Sequence, residues 1–194
     1  MSKKINTKLS KLIKYYNLIN YNLIFNNKEI FRYKKKELAP ESTIEKSLDN
    51  LSREISKIRG CKLKDNASKQ VFSDGSSKSK IMIIGEGPGA NEDKEGLPFV
   101  GRAGQLLDKM LDAINLNRSN VYITNVVNYR PPENRKPTDQ EVKRYLPFLK
   151  KHISIIRPKI ILLLGSTAMN AILENSDVIS KMRGKWHEII IEKS

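Results

Sequence analysis

Residues 81–107 constrain the fold of this chain more than any other stretch, because an apolar segment there runs into a glycine-rich loop and then into a helix-forming segment. Residues 81–84 are three isoleucines and one methionine, a pattern typical of a strand buried on both faces. Residues 85–89, the glycine-rich loop, contain three glycines, which let the main chain turn sharply and let a ligand approach it. Glu86 and Glu92 follow the strand, at the carboxyl edge where open α/β sheets hold their sites.

The rest of the chain alternates between strand-like and helix-like periodicity, and this alternation predicts the fold class. Apolar segments at 121–127 and 159–164 predict two more strands, and residues 186–191 are a candidate for another. The order β-α-β-α-β-α predicts an α/β fold, a three-layer α/β/α sandwich around a central parallel sheet with right-handed crossovers.

Four helices are predicted by their first residues and their apolar stripes. They cover residues 42–58, 103–114, 138–156 and 166–173. The first begins with a capping box of Ser42 and Glu45, and the third begins at Thr138 and contains Pro147, which predicts a kink. The second is expected to cover the sheet with a stripe that consists of Leu106, Leu107, Met110, Leu111 and Ile114. A polar, serine-rich loop at 73–79 leads into the first strand.

Charge is the second strong feature of the sequence. The 194 residues include 36 Lys and Arg against 21 Asp and Glu, a formal net charge of +15. This excess suits a polyanion such as DNA, but the codons of an AT-rich genome, which favour Lys and Asn, are an alternative explanation for part of it. Residues 1–40 are basic and rich in Asn, and are expected to form a poorly ordered extension with one weak helix near 9–23. Residues 41–194 are then the folded domain.

Cys61 is the only cysteine, which excludes an internal disulfide and a metal cage built from cysteines. We therefore expect no metal site and a reducing, cytoplasmic location. No apolar run reaches the roughly 20 residues that a membrane span requires. The basic start at Lys3 and Lys4 lacks the unbroken apolar core of a signal peptide, so neither a membrane nor export is expected.

The glycine-rich loop and the second predicted strand each allow more than one interpretation. The glycines are spaced G-x-G-x-G, which is neither the G-x-G-x-x-G of dinucleotide-binding folds nor a phosphate loop, so a nucleotide cofactor is disfavoured. Asn125 lies near the end of the second strand, where its amide either has structural partners or matches one edge of a planar base. His152 and His187 are interpreted as structural.

Four motifs together resemble one known family. They are residues 85–93, 96–104, 124–127 and 130–138. In sequence and order they closely resemble family-four uracil-DNA glycosylases, the iron-sulfur type, and most closely the alphaproteobacterial members. The resemblance covers roughly residues 50–187 and implies an α/β/α sandwich that hydrolyses the N-glycosidic bond of uracil in DNA during base excision repair. Members flip the nucleotide out of the duplex into a pocket at the strand ends.

The resemblance also implies roles for individual residues. Glu86 and Glu92 are the expected catalytic acids, which organise the attacking water and the sugar side of the pocket. Gly87, Phe99 and Asn125 are the expected uracil-binding residues, because Phe99 stacks on the base and the Asn125 amide reads its edge and rejects cytosine. Cleavage builds positive charge on the sugar and negative charge on the base, so carboxylates near the one and donors near the other lower the barrier.

The loop after the second strand carries the expected DNA-binding residues, Arg130, Asn134 and Arg135. An arginine side chain offers a phosphate a planar fork of donors. The expected partner is DNA that contains uracil, and the expected state of the protein is a monomer.

Two departures from the family change what is expected. The family holds its cluster with four cysteines, but the matching positions are Ile58, Cys61, Tyr129 and Tyr145, so no iron-sulfur cluster is expected and apolar packing is expected to take its place. The family's His-Pro-Ser-type motif and the strand before it have no match before Ser194. This predicts a truncated glycosylase homologue whose last strand is missing and whose activity is weak or absent. The alternatives are an inactive DNA-binding remnant or one half of a split gene.

Overall fold

The computed structural model describes residues 41–175 and 177–189. The extension predicted for residues 1–40, with its helix near 9–23, and the last two residues of the candidate strand at 186–191 lie outside the described part. The described residues belong to one compact unit that spans residues 39–194. Within them, no helix combines the length and the apolar character needed to cross a bilayer.

The described residues form seven α-helices and four strands. In chain order these are α1 (Glu41–Ser56), α2 (Lys62–Asn66), β1 (Asp74–Gly75), β2 (Ile81–Gly85), α3 (Ala90–Glu95), α4 (Arg102–Asp112), β3 (Tyr122–Asn125), α5 (Asp139–Ile156), β4 (Ile160–Leu163), α6 (Ser166–Leu173) and α7 (Ile179–Met182). One-turn 3-10 helices lie at Arg118–Asn120 and Pro132–Asn134. The four predicted helices are confirmed as α1, α4, α5 and α6, and the predicted strands as β2, β3 and β4.

The sheet is mixed, with the strand order β1-β3-β2-β4. Both β3 and β4 pair in parallel with β2, and Ile84 lies opposite Thr124 on one side and Leu163 on the other. The two-residue β1 lies within the predicted loop at 73–79 and runs antiparallel to β3, with Asp74 opposite Ile123. The α/β prediction is confirmed, and β1 adds an antiparallel edge to the parallel centre.

Helices cover both faces of the sheet. Met82 and Ile84 of β2 pack in one core with residues of α1, α5 and α6, whereas Ile83 packs in a second core with Leu107 and Leu111 of α4. Successive strand residues point to opposite faces, so β2 is buried on both. Each such side chain removed from water stabilises the fold by about 1.5–3 kcal/mol.

Two helices differ from the prediction in detail. α1 begins at Glu41, so Ser42 lies inside the helix and does not cap it. In α4 only Leu107 and Leu111 of the predicted stripe are buried, because the helix touches the sheet along a narrow line of residues four apart. The other three members of that stripe are more than half exposed, namely Leu106, Met110 and Ile114.

The opening of α5 is as predicted. The Thr138 hydroxyl accepts the N–H of Glu141 at 3.3 Å, and Glu141 Oε2 accepts the N–H of Thr138 at 2.7 Å. This reciprocal pair satisfies two donors that the first turn of a helix leaves free. Pro147 lies inside the helix.

β4 is the edge strand opposite β1 in the described sheet. Ile160 and Leu162 are 40% and 45% exposed, whereas Ile161 and Leu163 pack against the core formed with α1, α5 and α6. Residues 186–189 form no strand in the described structure, and Trp186 is 84% exposed. The candidate strand is therefore not found over these four residues.

Candidate active site

The carboxyl ends of three parallel strands meet at one edge of the sheet. Gly85, the last residue of β2, lies opposite Asn125, the last residue of β3. The ladder continues past the strands, because Val126 N donates to Gly85 O at 2.9 Å and Leu164 N donates to Ile84 O at 2.9 Å. The loops that follow β2, β3 and β4 therefore start side by side. Open α/β sheets bind their ligands at this edge, outside the carboxyl ends of the strands.

Gly85 brings together two side chains that the family resemblance assigns to the base pocket. A Cβ atom at this residue would lie 2.5 Å from Oδ1 of Asn125 and 2.5 Å from Cζ of Phe99. Only glycine leaves room for both, since real Cβ atoms do not approach other atoms so closely. An amide and an aromatic ring thus meet over the end of β2.

Asn125 is 3% exposed, yet its amide has no hydrogen-bond partner in the part of the chain that the structure describes. The amide atoms retain some solvent exposure at this edge of the sheet, so a ligand could reach them. The free amide therefore favours the interpretation in which Asn125 binds a ligand.

Phe99 has a left-handed backbone conformation, with φ at 57°. Such a conformation costs a residue with a side chain about 1–2 kcal/mol, so the surrounding contacts have to maintain it. On its carboxyl side, Oε1 of Glu92 accepts the N–H groups of Val100 at 3.0 Å and Gly101 at 2.8 Å. Oε2 of the same carboxylate accepts the N–H of Gly89 at 3.1 Å, which ties the glycine-rich loop to the Phe99 segment.

Arg118 is the second residue that holds the Phe99 segment in place. Its guanidinium donates to the carbonyl oxygens of Pro98, at 3.1 Å, and Phe99. It also forms ion pairs with Asp74 at 2.7 Å and Asp108 at 2.8 Å. Although burial works against the charged form, the hydrogen bonds to Asp108 and Asp74 raise the pKa of Arg118.

Two further glycines allow neighbouring segments of the site to approach each other closely. A Cβ at Gly104, in α4, would lie 1.6 Å from the carbonyl oxygen of Phe99, so the helix approaches Phe99 as closely as a backbone can. A Cβ at Gly87 would lie 2.7 Å from Cγ2 of Val127 and 4.0 Å from Cδ of Pro131. Gly87 therefore packs against the segment after β3, and the loop with the expected DNA-binding residues begins beside the glycine-rich loop.

Glu86 is partly exposed and has a single side-chain contact. The hydroxyl of Thr167, in the first turn of α6, donates to Oε2 of Glu86. No described residue donates to Oε1, so this oxygen is free to accept a hydrogen bond from water.

Glu92 and Asp93 differ from Glu86, because their carboxylates are bound to the main chain. Asp93 is 4% exposed and accepts the N–H groups of Ser68 at 2.8 Å and Lys69 at 3.2 Å. The role of Glu92 at the attacking water stays a prediction, and the contacts that the structure places on it are those that hold Phe99.

The expected DNA-binding residues lie in one loop, and both arginines are hydrogen-bonded, one to a residue of the loop and one to a residue of α5. Nε of Arg130 donates to Oδ1 of Asn134 at 2.8 Å. Arg135 forms two hydrogen bonds with Glu141, at 2.7 and 2.8 Å. The hydrogen bond from Arg135 lowers the pKa of Glu141 to about 2, so the pair stays ionised near neutral pH. Glu141 therefore neutralises part of the charge that Arg135 presents.

The positions that match the family's cluster ligands come together in the core. Sγ of Cys61 lies 3.3 Å from the hydroxyl of Tyr145, and Tyr129 and Ile58 pack in the same apolar cluster. Burial, reinforced by Cys61, raises the pKa of both tyrosines, so their hydroxyls stay protonated. One thiol and two protonated phenols do not fit an iron-sulfur cluster, which cysteine thiolates hold. The residues instead fit a small packed core with one polar contact.

Sequence reasoning does not find Thr167 or Arg118. Thr167 follows β4 at the same sheet edge as Glu86 and Asn125, so the rule that places sites at strand ends, applied to this third strand, would have found it. Arg118 precedes β3, and no local pattern distinguishes it from the other basic residues. His152 is 2% exposed and bonded to Tyr122, in agreement with its structural interpretation.

Comparisons with known proteins identify the family of the chain. Residues 72–193 match the family model described as the uracil DNA glycosylase superfamily. The Type-4 uracil-DNA glycosylase of Archaeoglobus fulgidus is 43% identical over 147 residues, which cover 74% of this chain and 74% of that protein. The Type-4 uracil-DNA glycosylases of Thermotoga maritima and Saccharolobus solfataricus are each 42% identical, over 73% of this chain and over 74% and 68% of their own lengths. The chain therefore belongs to the uracil-DNA glycosylase superfamily.

Proposed function

We propose that this protein removes uracil from DNA by hydrolysing the N-glycosidic bond of a deoxyuridine that has flipped out of the helix. The observation that carries the proposal is the meeting of the Phe99 ring and the free Asn125 amide over Gly85, beside Glu86. The similarity to Type-4 enzymes supports the same activity. Within that type we place the chain with the alphaproteobacterial members, on the resemblance of its motifs.

The base is recognised by stacking and by hydrogen bonding. The Phe99 ring offers a flat apolar surface, and stacking of a base on an aromatic side chain contributes about 1–3 kcal/mol. The Asn125 amide offers one donor and one acceptor, which match the O4 acceptor and the N3–H donor of uracil. Cytosine presents a donor where uracil has O4, so an amide held in one orientation rejects it.

The reaction takes place on the sugar side of the base. A water molecule that donates to the free Oε1 of Glu86 is oriented by this oxygen toward C1′ of the sugar. Its oxygen forms the new bond to C1′, the bond from C1′ to N1 breaks, and the electron pair leaves with uracil. The proton that the water loses passes to Glu86 and reaches N1 of uracil through solvent. The negative charge of Glu86 also stabilises the positive charge that develops on the sugar.

The loop at 130–135 is proposed to contact the DNA backbone, because it begins beside the glycine-rich loop. Arg130 and Asn134 support each other there, so one phosphate contact would involve both. We further propose that the protein acts as a monomer in the cytoplasm.

We propose that the protein folds without an iron-sulfur cluster. The contact between Cys61 and Tyr145, within a core that includes Tyr129, supports packing in place of metal ligation. Iron and sulfide analysis of the purified protein should give much less than one cluster per chain. A brown protein with stoichiometric iron would contradict this proposal.

An excision assay tests the proposal. The protein is incubated with an oligonucleotide that contains one uracil, abasic sites are cleaved with alkali, and the same oligonucleotide with thymine is the control. We expect uracil-dependent cleavage that Glu86→Ala and Asn125→Ala abolish and that Glu95→Ala, a change of an exposed carboxylate, leaves intact. DNA binding without any excision would instead favour an inactive DNA-binding protein. Cleavage unaffected by Asn125→Ala would contradict the assignment of the pocket.

A further inference from the structure

Thr167 forms the only hydrogen bond that a described residue makes to the carboxylate of Glu86. Its hydroxyl donates to Oε2, and no other described side chain or backbone group reaches either oxygen. A flexible glutamate at the edge of a site gains a fixed orientation from such a contact, because the hydrogen bond selects one arrangement of its side chain.

The position of Thr167 follows from the topology. β2 and β4 are neighbouring parallel strands, and Ile84 lies opposite Leu163. Gly165, with φ at 95°, then turns the chain directly from the strand into α6. The first turn of α6 therefore starts beside the residue that follows β2, which is where Glu86 lies.

A capping role does not explain this hydroxyl. Threonine near the start of a helix usually accepts a hydrogen bond from a free N–H of the first turn. Here the N-cap residue is Gly165, and Thr167 instead donates away from the helix, to a side chain 81 positions earlier in the sequence. The contact thus connects α6 to the loop after β2.

We propose that Thr167 is a positioning residue that fixes the Glu86 carboxylate for catalysis. The inference rests on the proposed function, because it assigns the reactive role to Glu86. A hydroxyl has one proton, and by giving it to Oε2 Thr167 leaves Oε1 as the oxygen that orients the attacking water. Orientation of this kind acts on the chemical step and not on the binding of DNA.

Two variants and a matched control test the proposal. Thr167→Val keeps the shape of the side chain and removes the hydroxyl, whereas Thr167→Ser keeps the hydroxyl. Ser166→Ala is the control, because the neighbouring Ser166 lies in the same turn and its hydroxyl has no described partner. The readouts are the single-turnover rate of uracil excision and the Kd for an oligonucleotide with 2′-fluoro-2′-deoxyuridine, which resists cleavage.

We expect Thr167→Val to lower the single-turnover rate by about tenfold or more, since hydrogen bonds to charged groups are among the strong ones. Its Kd should stay within about twofold of the wild-type value, and Thr167→Ser should retain most of the rate. Thr167→Val with a wild-type rate, or with a Kd that weakens as much as the rate, would overturn the proposal. An equal loss of rate in Ser166→Ala would overturn it as well.

A second readout does not depend on turnover. The carboxyl carbon of Glu86 gives a 13C NMR signal that can be assigned with Glu86→Gln. This signal should move in Thr167→Val and stay in place in Thr167→Ser and Ser166→Ala. A wild-type protein that excises no uracil would contradict the proposed function, and this signal would then decide whether Thr167 positions the carboxylate. A signal unmoved by Thr167→Val would overturn the inference.

Discussion

At the scale of single residues, the backbone of Phe99 is held in an unusual conformation by two side chains. Its left-handed backbone is unfavourable in isolation, and it is held by Arg118, which binds the Phe99 carbonyl oxygen, and by Glu92, which binds the N–H of the next residue, Val100. These contacts come from side chains of the chain itself and fix the segment that carries the Phe99 ring. Preorganisation of this kind lowers the entropy lost on binding.

The substitution Glu92→Gln tests whether Glu92 maintains this segment. The amide keeps one acceptor oxygen but places its NH₂ group against main-chain N–H donors. We expect the free energy of unfolding to fall by about 2 kcal/mol, because a partly buried charge-assisted contact is lost. Urea unfolding measures this loss.

The matched control for this change is Glu95→Gln, at an exposed position of the same helix, which should leave stability unchanged within about 0.5 kcal/mol. If Glu92→Gln proved as stable as the control, the three hydrogen bonds from the main chain to Glu92 would not contribute to the stability of the fold. A pure loss of excision rate would then support its predicted role at the attacking water.

At the scale of elements, a buried polar network joins α5 to β3. The Tyr122 hydroxyl contacts Nε2 of His152 at 2.7 Å and donates to Ser73 at 2.8 Å. Phe72 stacks on the imidazole with ring centroids 4.6 Å apart. Burial lowers the pKa of His152 to about 3, so the folded protein holds this histidine neutral.

This network predicts a loss of stability in acid. The folded-state pKa of His152 lies below the unfolded value of about 6.5, so its contribution is complete above that pH and is lost as the pH falls toward 3. Between pH 7 and pH 5, the free energy of unfolding should fall by about 2 kcal/mol more in the wild type than in His152→Gln. Urea unfolding at the two pH values measures the difference. Equal pH dependence in the wild type and His152→Gln would contradict the assignment.

Much of the element order could be predicted, because it depends on local patterns. The apolar run before Gly85 and the capping box at Thr138 each specify an element whatever surrounds it. β1 could not be predicted, since Asp74 and Gly75 have no strand propensity and pair only because β3 lies beside them. The exposure of Met110 also depends on where α4 rests on the sheet, which periodicity does not specify.

The position of a candidate site residue could be predicted where it ends a strand, as Asn125 does, or follows one directly, as Glu86 does. The link between Thr167 and Glu86 joins residues 81 positions apart, and only the pairing of β2 with β4 brings them together. The same holds for Arg118 and the carbonyl oxygens that it binds. Contacts between distant parts of the sequence leave no periodicity to detect.

At the scale of the whole molecule, the net charge of +15 should govern binding to DNA. We expect affinity for duplex DNA to fall as salt rises, and Arg130→Ala to reduce the slope of log affinity against log salt by about one. Because Glu141 neutralises Arg135, Arg135→Ala should change the slope less, and Glu141→Gln should strengthen binding. Fluorescence anisotropy over a salt series measures these slopes. Binding that is undetectable at low salt, or independent of salt, would favour codon usage as the source of the charge.

The most direct test of the base pocket is a comparison of binding to uracil and to cytosine. Single-stranded oligonucleotides that carry either 2′-fluoro-2′-deoxyuridine or 2′-fluoro-2′-deoxycytidine resist cleavage and remove the cost of breaking a base pair. The protein should bind the uracil strand about tenfold more tightly, and Asn125→Ala should abolish the preference, whereas Arg130→Ala should weaken both complexes equally. Equal affinity for the two strands, or a preference that persists in Asn125→Ala, would contradict the proposal that Asn125 and Phe99 form a uracil pocket.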